Sequence, residues 1–252
     1  MKQEDIQHTI KKIEEKKNSE KSKIQPHYDC PCKDPSVCQL GGYILQDDGT
    51  VRRCEKYFKW KKNQKIIKKL QITLPKQFWN KKFPNFETYN ESLKKALEKS
   101  KKYATKKLWN KGINLFFLGG YGRGKTHLAA AITRHAIVSN ESVVFITGPQ
   151  LGGEFKEVRE KFNKLKDVDL LIIDDLAGEL ENSFLSQEFF NLINYRYEAN
   201  KGIILTSNLS KKVLENETIG PRVWDRLQEK SVFIEIKTPE SYRKKKRDLL
   251  DI

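Results

Sequence analysis

"FFLGGYGRGKTHLAAAI", residues 116–132, decides how this chain is read. It contains Gly119-x-x-x-x-Gly124-Lys125-Thr126, a phosphate-loop pattern. Glycines there let backbone N–H groups wrap a phosphate, and the helix that follows aims its positive dipole end at the same anion. The context fits, because an apolar run (Ile113 to Leu118) precedes the loop and a helical stretch, "THLAAAITRHAIV", follows it. Gly119, Gly120, Tyr121, Gly122, Arg123 and Gly124, with Lys125, Thr126 and His127, are expected to line a bound nucleotide. Lys125 would reach the β- and γ-phosphates and Thr126 would offer its hydroxyl to Mg²⁺, so ATP and Mg²⁺ are the implied cofactors.

Downstream, "LLIIDD" (residues 170–175) runs four apolar residues into two adjacent acids. Burying carboxylates without compensation is costly, and neighbouring ones repel each other. A strand ending beside the phosphate-loop strand resolves the problem, since lysine, metal and nucleotide supply positive charge there. Asp174 is then the Mg²⁺ residue. Asp175 is the group that orients or polarises an attacking water.

"INLFFLG", "SVVFITG", "DLLIIDD" and "GIILTSN" are apolar runs separated by helical segments, and "SVFIEI" follows near the end. Continuous apolar strands alternating with helices predict an α/β domain, a central parallel sheet covered by helices. Before it, "ESLKKALEKSKKYATKKLW" has helical period, with Leu93, Ala96, Leu97, Ala104 and Leu108 near one face. "DDGT" at 47–50 reads as a hairpin turn between two short strands. Residues 56–82 interleave lysines with Tyr57, Phe58, Trp60, Phe78 and Trp79 and read as a basic connector.

The formal charge of +16 favours nucleic acid or an anionic membrane surface as a partner. With 37% hydrophobic residues and no run long enough to span a bilayer, a soluble cytosolic protein with no membrane partner is expected. The N-terminus "MKQEDIQHTIKKIEEKK" lacks the apolar core of a secretory signal. Ile6, Ile10 and Ile13 in it fit either a thin amphipathic helix or a charged tail. All four cysteines fall in the first 54 residues. Cys30, Cys32, Cys38 and Cys54 suffice for a structural Zn²⁺, with His27 as a substitute ligand; an iron–sulfur cluster or reduced thiols are the alternatives.

"GRGKTHLAAAI", "LLIIDDL", "ILTSNLS", "RVWDRLQE" and "SYR" together resemble the AAA+ ATPases of the DnaC/DnaI helicase-loader type, with the IstB transposition ATPases as close kin. The resemblance implies an AAA+ ATPase preceded by a small zinc-binding module. Carried onto this chain, it makes Asn208 the polar residue that contacts the γ-phosphate or its attacking water. Arg222 and Arg226 match the arginine-finger box, with Arg226 favoured as the finger and Arg222 as structural or assisting; Arg243 takes a further nucleotide-sensing place. Pro221 stands where many relatives carry Glu.

An arginine finger implies self-association and slow turnover by a lone subunit. The implied organisation is a tail (1–24), a cysteine module that binds the helicase (25–60), a basic linker (61–88), the ATPase domain (89–243) and a C-terminal tail (244–252). The implied function is to load a hexameric replicative DNA helicase onto single-stranded DNA. Lys59, Lys61, Lys62, Lys68, Lys69 and "GGEFKEVREKFNKLK" are candidate DNA contacts. The alternatives are an IstB-like partner of a transposase and a nucleotide-gated DNA-binding adaptor with little turnover.

Overall fold

Residues "YILQDDGTVRR" alternate around a tight turn, and the computed structural model pairs them as a hairpin. It describes residues 42–46, 48, 50–242 and 244, and the chain divides into two compact units between Lys68 and Lys69. In the first unit β1 (Tyr43–Leu45) runs antiparallel to β2 (Val51–Arg53), with Tyr43 opposite Arg53. The Thr50 N–H donates to Asp48 Oδ1 at 2.9 Å, closing the turn as "DDGT" predicts. Cys54 is buried after β2, and its N–H donates to the Gly42 carbonyl at 2.7 Å. Gly42 has φ 109°, and a Cβ there would lie 2.2 Å from the Tyr57 ring. Arg53 stacks its guanidinium 3.7 Å over Phe58.

The basic connector is not irregular over its first part. Glu55–Thr73 forms helix α1, because Lys, Gln, Glu and Leu are good helix formers and no Gly or Pro interrupts them. Pro75 ends the run, since the residue before a proline is driven out of the helical region.

In the second unit α2 (Glu91–Thr105) is capped by Asn90, whose Oδ1 accepts the Leu93 N–H at 2.9 Å. Leu93, Ala96 and Ala104 are buried on it as expected, whereas Leu97 and Leu108 are only half-buried. Tyr103 and Trp109 supply the missing apolar mass. Five strands then follow: β3 (Asn114–Leu118), β4 (Val143–Thr147), β5 (Leu170–Asp174), β6 (Ile203–Ser207) and β7 (Ser231–Glu235). They form one parallel sheet in the order β4-β5-β6-β3-β7.

Connecting them are α3 (Lys125–Val138), α4 (Phe155–Asp167), α5 (Ser183–Glu198) and α6 (Pro221–Glu229). Phe116, Leu118, Leu171, Ile173 and Leu205 join Phe162 of α4, Phe189 of α5 and Trp224 of α6 in one core. Strand alternation sends Leu115, Phe117, Ile172 and Ile204 to the opposite face, where α3 packs on β4, β5 and β6. Both faces are therefore covered, which is why β3, β5 and β6 are buried at every position.

One buried cation is structural. Arg196 on α5 is fully buried and donates to the carbonyls of Leu165 (3.0 Å), Val168 (2.9 Å) and Gly202 (2.8 Å). Burial lowers its pKa to about 10, which leaves it charged at neutral pH.

Candidate nucleotide site

β3 is flanked by β6 and β7, while the next strand in the chain, β4, lies at the far edge of the sheet. Such a reversal opens a crevice at the carboxyl ends of the strands. The loop from Gly119 to Gly124 fills it. Gly124 (φ 86°) begins α3, and a Cβ there would sit 2.6 Å from Phe86. Gly119 (φ 132°) passes so close to Ile236 that a Cβ would lie 2.5 Å from its carbonyl oxygen. Arg123 turns aside and donates to that same carbonyl at 3.3 Å. Tyr121 projects from the loop tip and is exposed.

Lys125, nearly buried, donates to the carbonyls of Gly119 (2.6 Å) and Gly120 (2.9 Å) and to Asn208 Oδ1. Asn208 in turn donates from Nδ2 to Asp175 Oδ1 at 2.6 Å. Asp174 ends β5 at 4% exposure, hydrogen-bonded to the Thr126 side chain and accepting Thr206 Oγ1 at 2.7 Å. Burial pushes the Asp174 carboxyl above the usual carboxylate range and neighbouring Asp175 adds to this; hydrogen bonds from Thr206 and Thr126 and the charge of Lys125 offset only part.

β5 does not lie beside β3, contrary to the sequence expectation. β6 intervenes and brings Asn208 between Lys125 and Asp175. Strand order is a property of long-range packing and leaves no local mark in the chain.

His127 lines the cleft, but its Nε2 hydrogen-bonds the Lys82 carbonyl at 2.9 Å and its ring meets the edge of Phe86. Burial holds its pKa below the ordinary imidazole value. The whole cleft encloses about 610 Å³, and the rest of its wall is formed by Pro75, Phe78, Phe86 and Glu87 of the expected linker, by Tyr89 just beyond it, and by Tyr242 from the other side. Tyr242 donates its N–H to the Gly122 carbonyl at 3.0 Å and its hydroxyl to Glu87 Oε1 at 2.6 Å. The aromatic residues in "PKQFWNKKFPNFETY" were the available signal.

Arg222 and Arg226 lie on α6 and do not line the cleft. Arg222 is exposed, whereas Arg226 donates to Asn194 Oδ1 and stands 5.6 Å over the Phe190 ring. Of the candidate DNA lysines, Lys59, Lys61, Lys62 and Lys68 are exposed, and Lys69 is engaged with the Glu141 carbonyl at 2.5 Å. Arg243, His27, Cys30, Cys32, Cys38 and the stretch 1–24 lie outside the described residues. Among the described residues no group of three or more His, Cys, Asp or Glu side chains is arranged to hold a metal, and no helix is long and apolar enough to cross a membrane.

Residues 55–249 match the family described as IstB-like ATP binding protein. The chain belongs to the IstB-like ATP-binding family. This IstB-like chain is 31% identical over 178 residues to the replicative helicase loader DnaC of Buchnera aphidicola subsp. Baizongia pistaciae (strain Bp), a match covering 67% of this chain and 71% of that protein. The crystal structure of DnaI superposes with a TM-score of 0.56 at 24% identity, over 66% of this chain and 93% of that one. DnaA from Aquifex aeolicus, bound to AMPPCP, gives 0.57 at 25% identity, over 69% of this chain and 56% of that one. The sheet and its helices are thus those of an AAA+ P-loop domain.

Mg²⁺ fits the residues present: the Thr126 hydroxyl and the Asp174 carboxylate are hard oxygen donors already in contact, and Asp174 is a buried acid whose neighbours offset only part of the cost of its charge.

Proposed function

We propose that this chain is an ATP-hydrolysing loader that binds a hexameric replicative helicase and delivers it onto single-stranded DNA. The observation that carries the ATPase reading is the linked series Lys125–Asn208–Asp175 beside Thr126–Asp174. Lys125 would exchange the Gly119 and Gly120 carbonyls for β- and γ-phosphate oxygens, a better match for its charge. Thr126 and Asp174 would hold Mg²⁺, which when bound neutralises phosphate charge. Asp175 is exposed to the cleft and its carboxylate is anchored by Asn208, so it would orient the attacking water. Asn208 bridges lysine and carboxylate and would sense the γ-phosphate through the lysine it contacts.

The arginines of α6 would act on a neighbouring subunit's nucleotide. Arg222 is exposed while Arg226 is held by Asn194 and Phe190, which supports Arg222 as the reaching residue and Arg226 as its anchor. This exchanges the roles expected from the motif alone. For Arg243, the supporting observation is that Tyr242, immediately before it, is hydrogen-bonded to the phosphate loop. Helicase binding is assigned to the cysteine segment, with Zn²⁺ on Cys30, Cys32, Cys38 and Cys54. Single-stranded DNA is assigned to the exposed lysines of α1 and to the α4 stretch, where Phe155 is exposed against Phe184.

The test is a pull-down of the full chain from a bacterial lysate. Recovery of a replicative helicase, lost on deletion of residues 1–60, is expected. Recovery of a transposase would establish the second reading, which the IstB-like family match favours. Phosphate release with and without single-stranded DNA, for wild type and Asp175→Ala, separates both from an adaptor: equal, near-zero rates throughout would sink the ATPase reading. Metal analysis should find one Zn²⁺ per chain, lost in Cys54→Ser.

A further inference from the structure

The Asp174–Asp175 turn is held almost entirely by one strand end, and that strand is not the one that carries it. Asp175 sits at φ 58°, a left-handed conformation that a non-glycine residue keeps only when its surroundings impose it. Three consecutive residues of β6 and the turn after it do so. Thr206 accepts the Asp175 N–H on Oγ1 at 2.9 Å and the Leu176 N–H on its carbonyl at 3.0 Å. Ser207 Oγ donates to the Leu176 carbonyl at 2.6 Å, and Asn208 holds the Asp175 carboxylate.

Thr206 is the centre of this cradle. It is fully buried, and its hydroxyl has one proton and two partners. A backbone N–H can only donate, so the hydroxyl must accept from Asp175 and spend its own proton on Asp174 Oδ1, 2.7 Å away. One side chain thereby fixes the rotation of one carboxylate and the backbone of the next.

We infer that Thr206 is a positioning residue for ATP turnover: it orients the Asp174 carboxylate toward the Thr126 side and sets the left-handed turn that presents Asp175 to the cleft. This rests on the reading of Asp174 and Asp175 given above. Thr206 would touch neither nucleotide nor metal and would act through the two aspartates.

The experiment compares Thr206→Val, which keeps shape and removes the hydroxyl, with Thr206→Ser, which keeps the hydroxyl. Equilibrium binding of a fluorescent ATP analogue is titrated with Mg²⁺, alongside phosphate release and thermal melting. Residues that orient a metal ligand typically contribute about 10–100-fold in metal affinity or activity. Thr206→Val is expected to raise the Mg²⁺ concentration needed for half-maximal binding by about that factor and to lower kcat, with nucleotide affinity in the absence of Mg²⁺ unchanged; Thr206→Ser should restore both. A general packing defect would instead weaken metal-free binding too.

The inference is overturned if Thr206→Val keeps wild-type Mg²⁺ dependence and kcat, or if Thr206→Ser loses as much as Thr206→Val. Should Thr206→Val not fold, Thr206→Ala against Thr206→Ser makes the same comparison. Asp174→Asn separates the two levels: if its Mg²⁺ dependence is wild type, the metal-site reading itself fails, whereas loss in Asp174→Asn with a silent Thr206→Val removes only the positioning role.

Discussion

The two ends of the cleft are built on different principles. At the phosphate end Lys125, Asp174 and Thr206 are buried on the ends of regular elements, and the hydrogen bonds run from one element to the next. The opposite wall, with Phe78, Glu87, Tyr89 and Tyr242, comes from short turns and irregular stretches outside the sheet, joined by the Tyr242–Glu87 hydrogen bond, and Phe86 packs against Gly124 where the two meet. Chemistry needs groups held in fixed geometry, which elements of a covered sheet provide. Gripping the remainder of a nucleotide needs apolar area and a few polar contacts, which irregular segments can supply.

If that division holds, substitutions at the two ends should separate rate from affinity. Asp175→Asn should lower kcat by about 10²–10⁴, the range for a positioned acid–base group, with nucleotide affinity little changed; a parallel loss of affinity would break the division. Tyr89→Ala, which removes an exposed ring lining the cleft, should weaken nucleotide binding by about tenfold, from the roughly 1–3 kcal/mol that one aromatic–base stack contributes, and kcat at saturation should survive. Fluorescent-nucleotide titration and phosphate release read both effects.

A smaller effect follows at the mouth. Tyr242→Phe removes one hydrogen bond, on the order of 1 kcal/mol, so affinity should fall about fivefold at most. Equal loss for ATP and GTP would place that contact outside base recognition.

The smallest effect joins the two ends. His127 sits on α3 at the phosphate end and bonds the Lys82 carbonyl near the other. Burial holds it below its ordinary value of 6.5, so as pH falls the unfolded chain takes up the proton first. Its contribution to stability is present above that value and lost as pH falls through the depressed folded pKa. Melting temperature should therefore drop between about pH 7 and pH 5. In His127→Gln this part of the slope should flatten, and an unchanged slope would assign the pH dependence elsewhere.

The fold was largely legible because its signals are local. Apolar runs gave the five strands, Gly119–Thr126 gave the phosphate loop, and the acids after "LLII" gave the end of β5. Helix α1 carries no such local mark beyond a composition that favours helix, because its apolar and basic residues follow no single face and Leu70 is the one residue it buries. Arg196 misled in the other direction. In so basic a chain an arginine reads as solvated, yet this one is buried, and its terminal nitrogens donate to carbonyls at the end of α4, in the stretch after it and just before β6, which only the folded chain brings together. Thr206 gave no signal either: one threonine in a strand looks like any other until its neighbours across the sheet are known.

By itself the sequence determined which residues are candidates for the chemistry and which segments form the strands of the sheet, because spacing and period are written along the chain. Only the tertiary structure decided that β6 stands between β3 and β5, and hence that Asn208 links Lys125 to Asp175 while Thr206 holds both aspartates. It also decided that Arg222 is exposed while Arg226 is held. These depend on contacts between residues 31 to 83 positions apart, which close only when the whole sheet is packed.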